Sequence, residues 1–414
     1  MSRKTINFIT IFFYISLIIG FILNEDLNGG AKSDFNFYEN IISSFSNNFI
    51  DSFLNYEKFN ERHSPIMIIV LSFLAKINLN LELIRLLNLH VNLLTIYFFY
   101  KCLGVKFNQI NKNYLILISL VIFISPTFRS LSIWPDSRAI GLLFFTISIK
   151  YFLDFQKNKE INFAVKNIIF LSIASYFSPN FSVFSVYFFY YFLDFKDIKK
   201  IITIIILNCL LALPAIYYIF ILDINFINLG LTPGSSSELI KNSVEFNFSN
   251  KILCITSIIF FYSIPIILTR KVFIQVTIKN FLLFLIFFTI NLSCLFFFNY
   301  EIYFTGGGIF FHLSNYFFDN NLFFYLVCFI SFFFLFLKNF NLNNLFIIFL
   351  LIISNPQLTI YHKYYDPLVL ILIFTLFNFE IKNEFFKSFN ILKIYIIYSI
   401  LLVSKVVQHY LYIL

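Results

Sequence analysis

Two carboxylates stand where chemistry can begin. Asp34 lies in "SDFNF" and Asp136 in "SIWPDSRA", each close beyond an apolar run. Aspartate is both a preferred helix N-cap and a competent general base, so each position has two readings. Asp34 either starts a helix or sits in its first turn. In the second case Ser33 is the cap and the helix dipole holds the Asp34 carboxylate ionised. Asp136 caps a helix, pairs with Arg138 or Arg129, or faces a functional cavity. A carboxylate at a membrane edge costs on the order of 2–3 kcal/mol to bury, so it marks a cavity or a paired charge. As a pair, Asp34 and Asp136 suit a general base with a supporting carboxylate or metal ligand.

Arg62, His63, Arg129, Arg138, Asn180, His312, Asn315, His362 and Lys363 supply cationic and amide groups in the loops that share a side with these carboxylates. Singly, such residues are usually just solvated. Together they meet the need of a lipid phosphate for several cationic or N–H donors. Gly306-Gly307-Gly308 reads as a tight or flexible turn near a ligand. It lacks the lysine and spacing of a nucleotide-binding loop.

The elements that must position these groups are membrane helices. The 414-residue chain is 59% hydrophobic and 12% charged, with mean hydropathy +0.83. A soluble domain carries about 25% charged residues. The predicted class is therefore all-α and polytopic, one integral membrane domain over 1–414, and a soluble multi-domain enzyme is disfavoured. The chain has 64 Phe and 25 Tyr against 1 Trp, the residue usage of an AT-rich genome, and this carries no ligand signal. The net charge of +9 does not predict a nucleic-acid partner, because the basic residues recur between apolar runs. Cys102, Cys209, Cys254, Cys294 and Cys328 sit singly in or beside apolar runs, which predicts buried thiols and neither a metal knuckle nor a disulfide framework. Ser2-Arg3-Lys4 and the run behind it fit a signal peptide, but no small-x-small site follows Leu23, which favours a retained helix.

Candidate crossings are 6–23, 84–103, 113–127, 137–153, 161–177, 181–195, 201–221, 252–268, 280–298, 321–337, 344–361, 366–379 and 391–410. Several are shorter than the roughly 20 residues of a full crossing, which leaves about 11–13 transmembrane helices. With Arg3 and Lys4 in the cytoplasm, the short loops rich in lysine fall almost all on that side, as the positive-inside rule requires. Pro65 to Ile77 must then be a short helix in the outer interface. The outer side receives the 24–83 loop, the 223–251 loop and the turns around Asp136, Asn180, His312 and His362. Within the first loop, Tyr38, Ile41, Ile42, Phe45, Phe49 and Phe53 recur at helical spacing, which predicts an amphipathic helix lying on the membrane.

An aspartate soon after the first helix, an amphipathic outer loop, "ERHSPIMI", "RLLNL" and "SPTFRSLSIWPDSRA" together resemble the GT-C glycosyltransferases. These are multi-helix enzymes that use polyprenyl-phosphate sugars. "NPQLTIYHKYYDP" is similar to the tail of the dolichol-linked α-1,2-glucosyltransferase family, with Lys363-Tyr364 where that family has Arg-Tyr and a different spacing to Pro367. The resemblance implies that Asp34 is the catalytic base. It implies that Asp136 is the acid between the third and fourth helices, which in some relatives helps hold a metal. The family often has two adjacent acids in the first loop; here Phe35 follows Asp34, and Glu25 and Asp26 are fallback candidates.

The function implied is transfer of a sugar from a polyprenyl-phosphate donor to a lipid or glycan acceptor, with inversion. Arg62, His63, Asn180, His312, Asn315, His362 and Lys363 would bind substrate and phosphate. No cofactor is certain, and a divalent metal at Asp136 stays open. The expected setting is a bacterial inner membrane with the active site facing the periplasm, surrounded by membrane lipids. Two alternatives are a transporter or flippase of lipid-linked sugars and an O-antigen polymerase or ligase. The first should show interrupted helices and intramembrane charges. The second should concentrate arginine and histidine in a large later loop, and the 223–251 loop has neither.

Overall fold

The computed structural model describes residues 2–27, 30–59, 61, 64–194, 197–222, 224, 247–269, 278–301, 306–338, 341–355 and 359–411. Among these residues the chain forms eighteen α-helices and no strand. The first nine are α1 (Arg3–Ile22), α2 (Ala31–Asn47), α3 (Phe49–Leu54), α4 (Ile66–Lys76), α5 (Leu81–Lys106), α6 (Lys112–Leu120), α7 (Pro126–Ile133), α8 (Ser137–Asn158) and α9 (Ile161–Phe177). The rest are α10 (Phe184–Phe192), α11 (Ile198–Phe220), α12 (Phe248–Ile267), α13 (Ile278–Phe296), α14 (Ile309–Phe318), α15 (Leu322–Phe332), α16 (Leu342–Ile353), α17 (Leu368–Thr375) and α18 (Ser388–Leu411). The abundant asparagine does local work here. Asn80, Asn247 and Asn341 each accept a backbone N–H at the start of α5, α12 and α16, satisfying donors the helix cannot.

The protein is an all-α, polytopic integral membrane protein. Six helices, α1, α5, α8, α11, α12 and α18, are long and apolar enough to cross a membrane. Residues 112–124 and α7 pass the same test only together, as a pair bent by 69°, the form of a broken span or a re-entrant loop. The interruption has a local cause: Pro126 has no N–H to continue the ladder and forces Ser125 into extended backbone. Each expected run contains a helix, but α9, α10, α16 and α17 have 17, 9, 12 and 8 residues. Among the described residues, six helices, or seven with the bent pair, are thus long and apolar enough to cross, and five shorter apolar helices accompany them.

The chain divides into two compact units. The first holds residues 2–109 and 128–244, and the second holds 110–127 and 245–414, so the boundary falls inside α7. In the first unit α8 packs on α5 and α9, and α9 packs on α10 and α11. Helices α1 and α11 leave long apolar faces exposed, including Phe8, Ile11, Phe12 and Ile15 on α1 and Ile202, Ile206, Leu210 and Leu213 on α11. Faces of this kind are stable against lipid and costly against water. Four cysteines are buried as expected, but Cys209 is exposed on α11.

Helix α11 also carries an internal proline, Pro214. The Tyr176 hydroxyl, from α9, donates to Leu211 O and accepts from Ala215 N. Those two backbone groups would normally bond each other across one helical turn, so the phenol is inserted into the ladder.

The amphipathic helix of the first loop differs from expectation in two ways. It starts at Gly30 and Ala31, not at Ser33, and Asp26 Oδ2 caps it by accepting Gly30 N and Lys32 N at 3.0 and 3.1 Å. Its apolar face (Phe35, Tyr38, Ile41, Ile42 and Phe45) is buried in protein, and α2 packs on α4. The helix breaks at Asn48, so Phe49 and Phe53 belong to α3. Helix α4, with 11 residues, is the expected short apolar helix.

In the second unit α12 is the hub. It packs on α13, α14, α15, α16, α17 and α18. Gly307 and Gly308 both have positive φ, +91° and +86°, which ordinary side chains resist. Their turn starts α14, and Gly307 N donates to Ile360 O at 2.9 Å.

Candidate functional site

Each unit gathers a set of polar groups. In the first, α2 and α8 supply the two aspartates singled out by sequence. Asp34 lies in the first turn of α2 and is partly exposed. Asp136 is the N-cap of α8 and buried. Its Oδ1 accepts Arg138 N at 2.7 Å and lies 3.5 Å from the Arg138 guanidinium. The cap and ion-pair roles open to Asp136 are thus both filled. The Tyr38 phenol, one turn beyond Asp34, ties the set together. Burial pushes its pKa well above the ordinary value, and so do the charges of Glu61, Asp136 and Asp34, while Arg138 opposes them. The charges of Asp34, Glu61, Asp136 and Arg138 are therefore felt at one phenol. Glu61 stands in "ERHSPIMI", but sequence reasoning passed it over in favour of its basic neighbours.

The neighbouring acids are committed elsewhere. Glu25 takes a bidentate pair from Arg129, Nε to Oε1 at 2.6 Å and Nη2 to Oε2 at 2.7 Å. Arg129 also donates to Ser16 Oγ and Ser16 O, and Trp134 Nε1 donates to Glu25 O. Arg85 stacks on Trp134 at 3.6 Å and donates to Ile133 O and Asn24 Oδ1. Arg129, an expected rim cation, is thus spent on holding the end of α1 to α7. Of the first-loop acids, Glu25 is thus held by Arg129 and Asp26 caps α2.

Asn180 lies in the short turn Pro179–Phe181 between α9 and α10, half-buried. Arg62 and His63 lie outside the described residues, as does most of the 223–251 loop.

The second unit brings together His312, on the first turns of α14, and His362, in the turn His362–Tyr364. Burial pushes His362 down to about 4; Asp366 opposes this, and Lys405 and His312 add to it. His362 is therefore a neutral imidazole near pH 7. Lys405, on α18, was missed because it sits deep in an apolar run. Asn315 is engaged within its own helix end, donating to Phe311 O and Asn321 Oδ1. Lys363 lies over the Tyr361 ring.

Asp366 was also missed, although "YYDP" follows two residues that sequence reasoning selected. It is buried. Its Oδ2 accepts Ser125 Oγ at 2.6 Å and Thr127 N at 3.1 Å, both at the interruption before α7. Its Oδ1 accepts the Tyr262 hydroxyl at 2.6 Å. Tyr262 also lies 3.4 Å from His362 Nε2. Val121, Ile124, Ser125, Tyr262, Asp366, Leu370, Tyr398 and Leu401 line a small cavity beside the carboxylate.

Among the described residues no three His, Cys, Asp or Glu side chains converge as a metal site. Asp136 is turned to Arg138, so the donor set around it does not fit a divalent ion, and no step below uses one. Comparison with protein families, with characterised proteins and with solved structures finds no match to this chain.

Proposed function

We propose that this membrane protein is a glycosyltransferase of GT-C type, moving a sugar from a polyprenyl-phosphate donor to a lipid or glycan acceptor. The observation that supports the reading is that Asp34, in the first turn of α2, and Asp136, at the start of α8, both act electrostatically on the buried Tyr38 phenol, with Glu61 and Arg138. Asp34, partly exposed, takes the proton from the acceptor hydroxyl as that oxygen attacks the anomeric carbon. Asp136, buried and held by Arg138, fixes the start of α8 and supplies a standing negative field. The leaving polyprenyl phosphate is already a stable anion, so no general acid is needed. Single displacement gives inversion. Arg62, His63 and Asn180, which belong to the same unit as Asp34, are the groups proposed to bind substrate and phosphate there. The setting proposed is a bacterial inner membrane with this face in the periplasm.

The test is Asp34→Asn in purified protein in lipid nanodiscs, assayed with radiolabelled undecaprenyl-phosphate sugars. Asparagine keeps size and hydrogen bonding and removes the base. Transfer should fall by roughly 10²–10⁴, with donor binding retained. Near-normal transfer by Asp34→Asn would remove Asp34 from the mechanism.

A second reading, a transporter of lipid-linked sugars, is favoured by one observation. The span through Ser125 is interrupted, and a buried carboxylate sits at the break. Such breaks mark substrate and ion sites in transporters. This reading expects vesicles to show donor translocation that Asp34→Asn leaves intact.

A further inference from the structure

One end of the first unit carries more positive charge than its acids balance. Residues 150–166 and 194–200 hold seven lysines and four acids. They include the end of α8, the start of α9 and the start of α11. Lys200, the third residue of α11, reaches the Phe155 ring of α8, so these helix ends lie together. Lys150 pairs with Asp154 at 2.6 Å. Lys159, Lys166 and Lys200 have no ion pair among the described residues. Their ammonium groups rest on aromatic faces instead. Lys159 and Lys200 lie 5.4 and 4.8 Å from the centre of the Phe155 ring. Lys166 lies 5.4 Å from the centre of Tyr151, one turn earlier on α8. A ring attracts a cation without cancelling its charge, and it leaves N–H donors for an anion.

Two cations beside one ring repel each other, and Lys200 is only 9% exposed, so water screens it poorly. The helix dipole does not account for it either. Lys199 and Lys200 stand in the first turn of α11, where the dipole disfavours a cation and favours an anion. Asp197 caps that end through Lys200 N and makes no ion pair with the Lys200 ammonium. We propose that this end of the unit binds the phosphate of an anionic phospholipid, with Lys159 and Lys200 as the principal donors and Lys166 beside them. The setting selects a lipid over a soluble phosphate. Helices α8 and α11 are both long and apolar enough to cross a membrane, so their ends stand at the level of the headgroups. Directly beyond the lysines, Ile198, Ile202 and Ile205 leave an exposed apolar face on α11 for the acyl chains. The long lysine stems lie along protein while the ammonium groups reach the phosphates. This site is independent of the glycosyltransferase reading.

The probe is phosphatidylglycerol, compared with phosphatidylcholine of the same acyl chains. Purified full-length protein in detergent micelles is titrated with each lipid, and native mass spectrometry counts the lipid retained. The wild type should hold phosphatidylglycerol about tenfold more tightly. Its melting temperature should rise with that lipid and not with phosphatidylcholine. Lys159→Gln combined with Lys200→Gln should weaken phosphatidylglycerol binding by about tenfold, since each lysine near a lipid surface is worth about a factor of five. Lys58→Gln combined with Lys76→Gln removes the same charge from the first loop and should leave the preference unchanged. If the Lys200 variant does not fold, Lys159→Gln with Lys166→Gln takes its place, because both of those side chains are exposed. Equal retention of the two lipids by the wild type overturns the site. So does an equal loss in the two double variants, which would reduce the effect to net charge. Displacement of the lipid by millimolar inorganic phosphate would assign the lysines to a soluble anion, and that also overturns it.

Discussion

Glu25→Gln is the most informative single perturbation of the first unit. The Glu25 and Arg129 side chains are 9% and 6% exposed, so solvent screens their pair little. Glutamine keeps the shape and one acceptor oxygen but removes the charge, leaving the guanidinium with neutral partners only, that oxygen together with Ser16 Oγ and Ser16 O. Removing one partner of a buried pair costs about 3–5 kcal/mol in soluble proteins. In a membrane the unfolded reference state also finds partners for polar groups, which favours the lower end, about 3 kcal/mol. Arg129→Gln should cost a similar amount. The double variant should cost scarcely more than either single one, because neither charge is then left stranded, giving a coupling of about 3 kcal/mol. The assay is reversible unfolding in mixed micelles against SDS mole fraction, followed by the fluorescence of Trp134. That is the chain's one tryptophan, and it donates to Glu25 O. Single variants costing under about 1 kcal/mol and simply additive would refute the claim that this pair holds α1 to α7.

Gly20→Ala should destabilise by about 1–2 kcal/mol although alanine is the better helix former, because its Cβ would stand 2.5 Å from Glu25 Oε2 and 3.0 Å from Arg129 Nη2; an unfolding midpoint at or above wild type contradicts this. His362, held near 4 by burial, is neutral when folded and has an ordinary pKa near 6.5 when unfolded. Its contribution is therefore complete above about pH 6.5 and is lost as pH falls toward 4, by roughly 3 kcal/mol, and His362→Gln should flatten that part of the stability–pH curve. Asn320→Cys should react with a membrane-impermeant thiol reagent in intact cells and Asn158→Cys should not; the reverse pattern would invert the orientation. Tyr176→Phe should cost about 1–2 kcal/mol and speed amide exchange at Ala215, since Leu211 O and Ala215 N lose their shared hydroxyl.

What could be read from the sequence was what repeats locally. Runs of Ile, Leu and Phe announced the helices, and α1, α5, α8, α11, α12 and α18 follow them closely. Length was harder to read, because a run does not show where the chain turns: α9 stops at Ser178 ahead of Pro179, although apolar residues resume at Phe181. The face of α2 was legible, but not its destination, since the same periodicity serves lipid and protein. Asp34 and Asp136 were visible as isolated acids in apolar surroundings. Their company was not, because Glu61 and Tyr38 look like an ordinary loop acid and a core aromatic. Glu25 with Arg129, and Asp366 with Ser125, join positions far apart in the chain, and no spacing rule encodes such pairs. Asp366 did leave a signal, a carboxylate directly before the apolar run that forms α17. It was overshadowed by the proline beside it, which reads as a turn.

The phenol inserted into α11 has a mechanical consequence. Apolar contacts with lipid and with α9 have no direction, so they resist sliding of one helix along another only weakly. Tyr176 changes this, because its hydroxyl fits between one carbonyl and one amide and no other pair. An axial slip of one residue, about 1.5 Å, would break both bonds and leave Leu211 O and Ala215 N without the hydroxyl between them. Rotation about the same point stretches neither bond much. Tyr176 therefore acts as a pivot pin. The last turns of α11, beyond Pro214, can swing sideways in the bilayer while their height along α9 stays fixed by one oxygen atom.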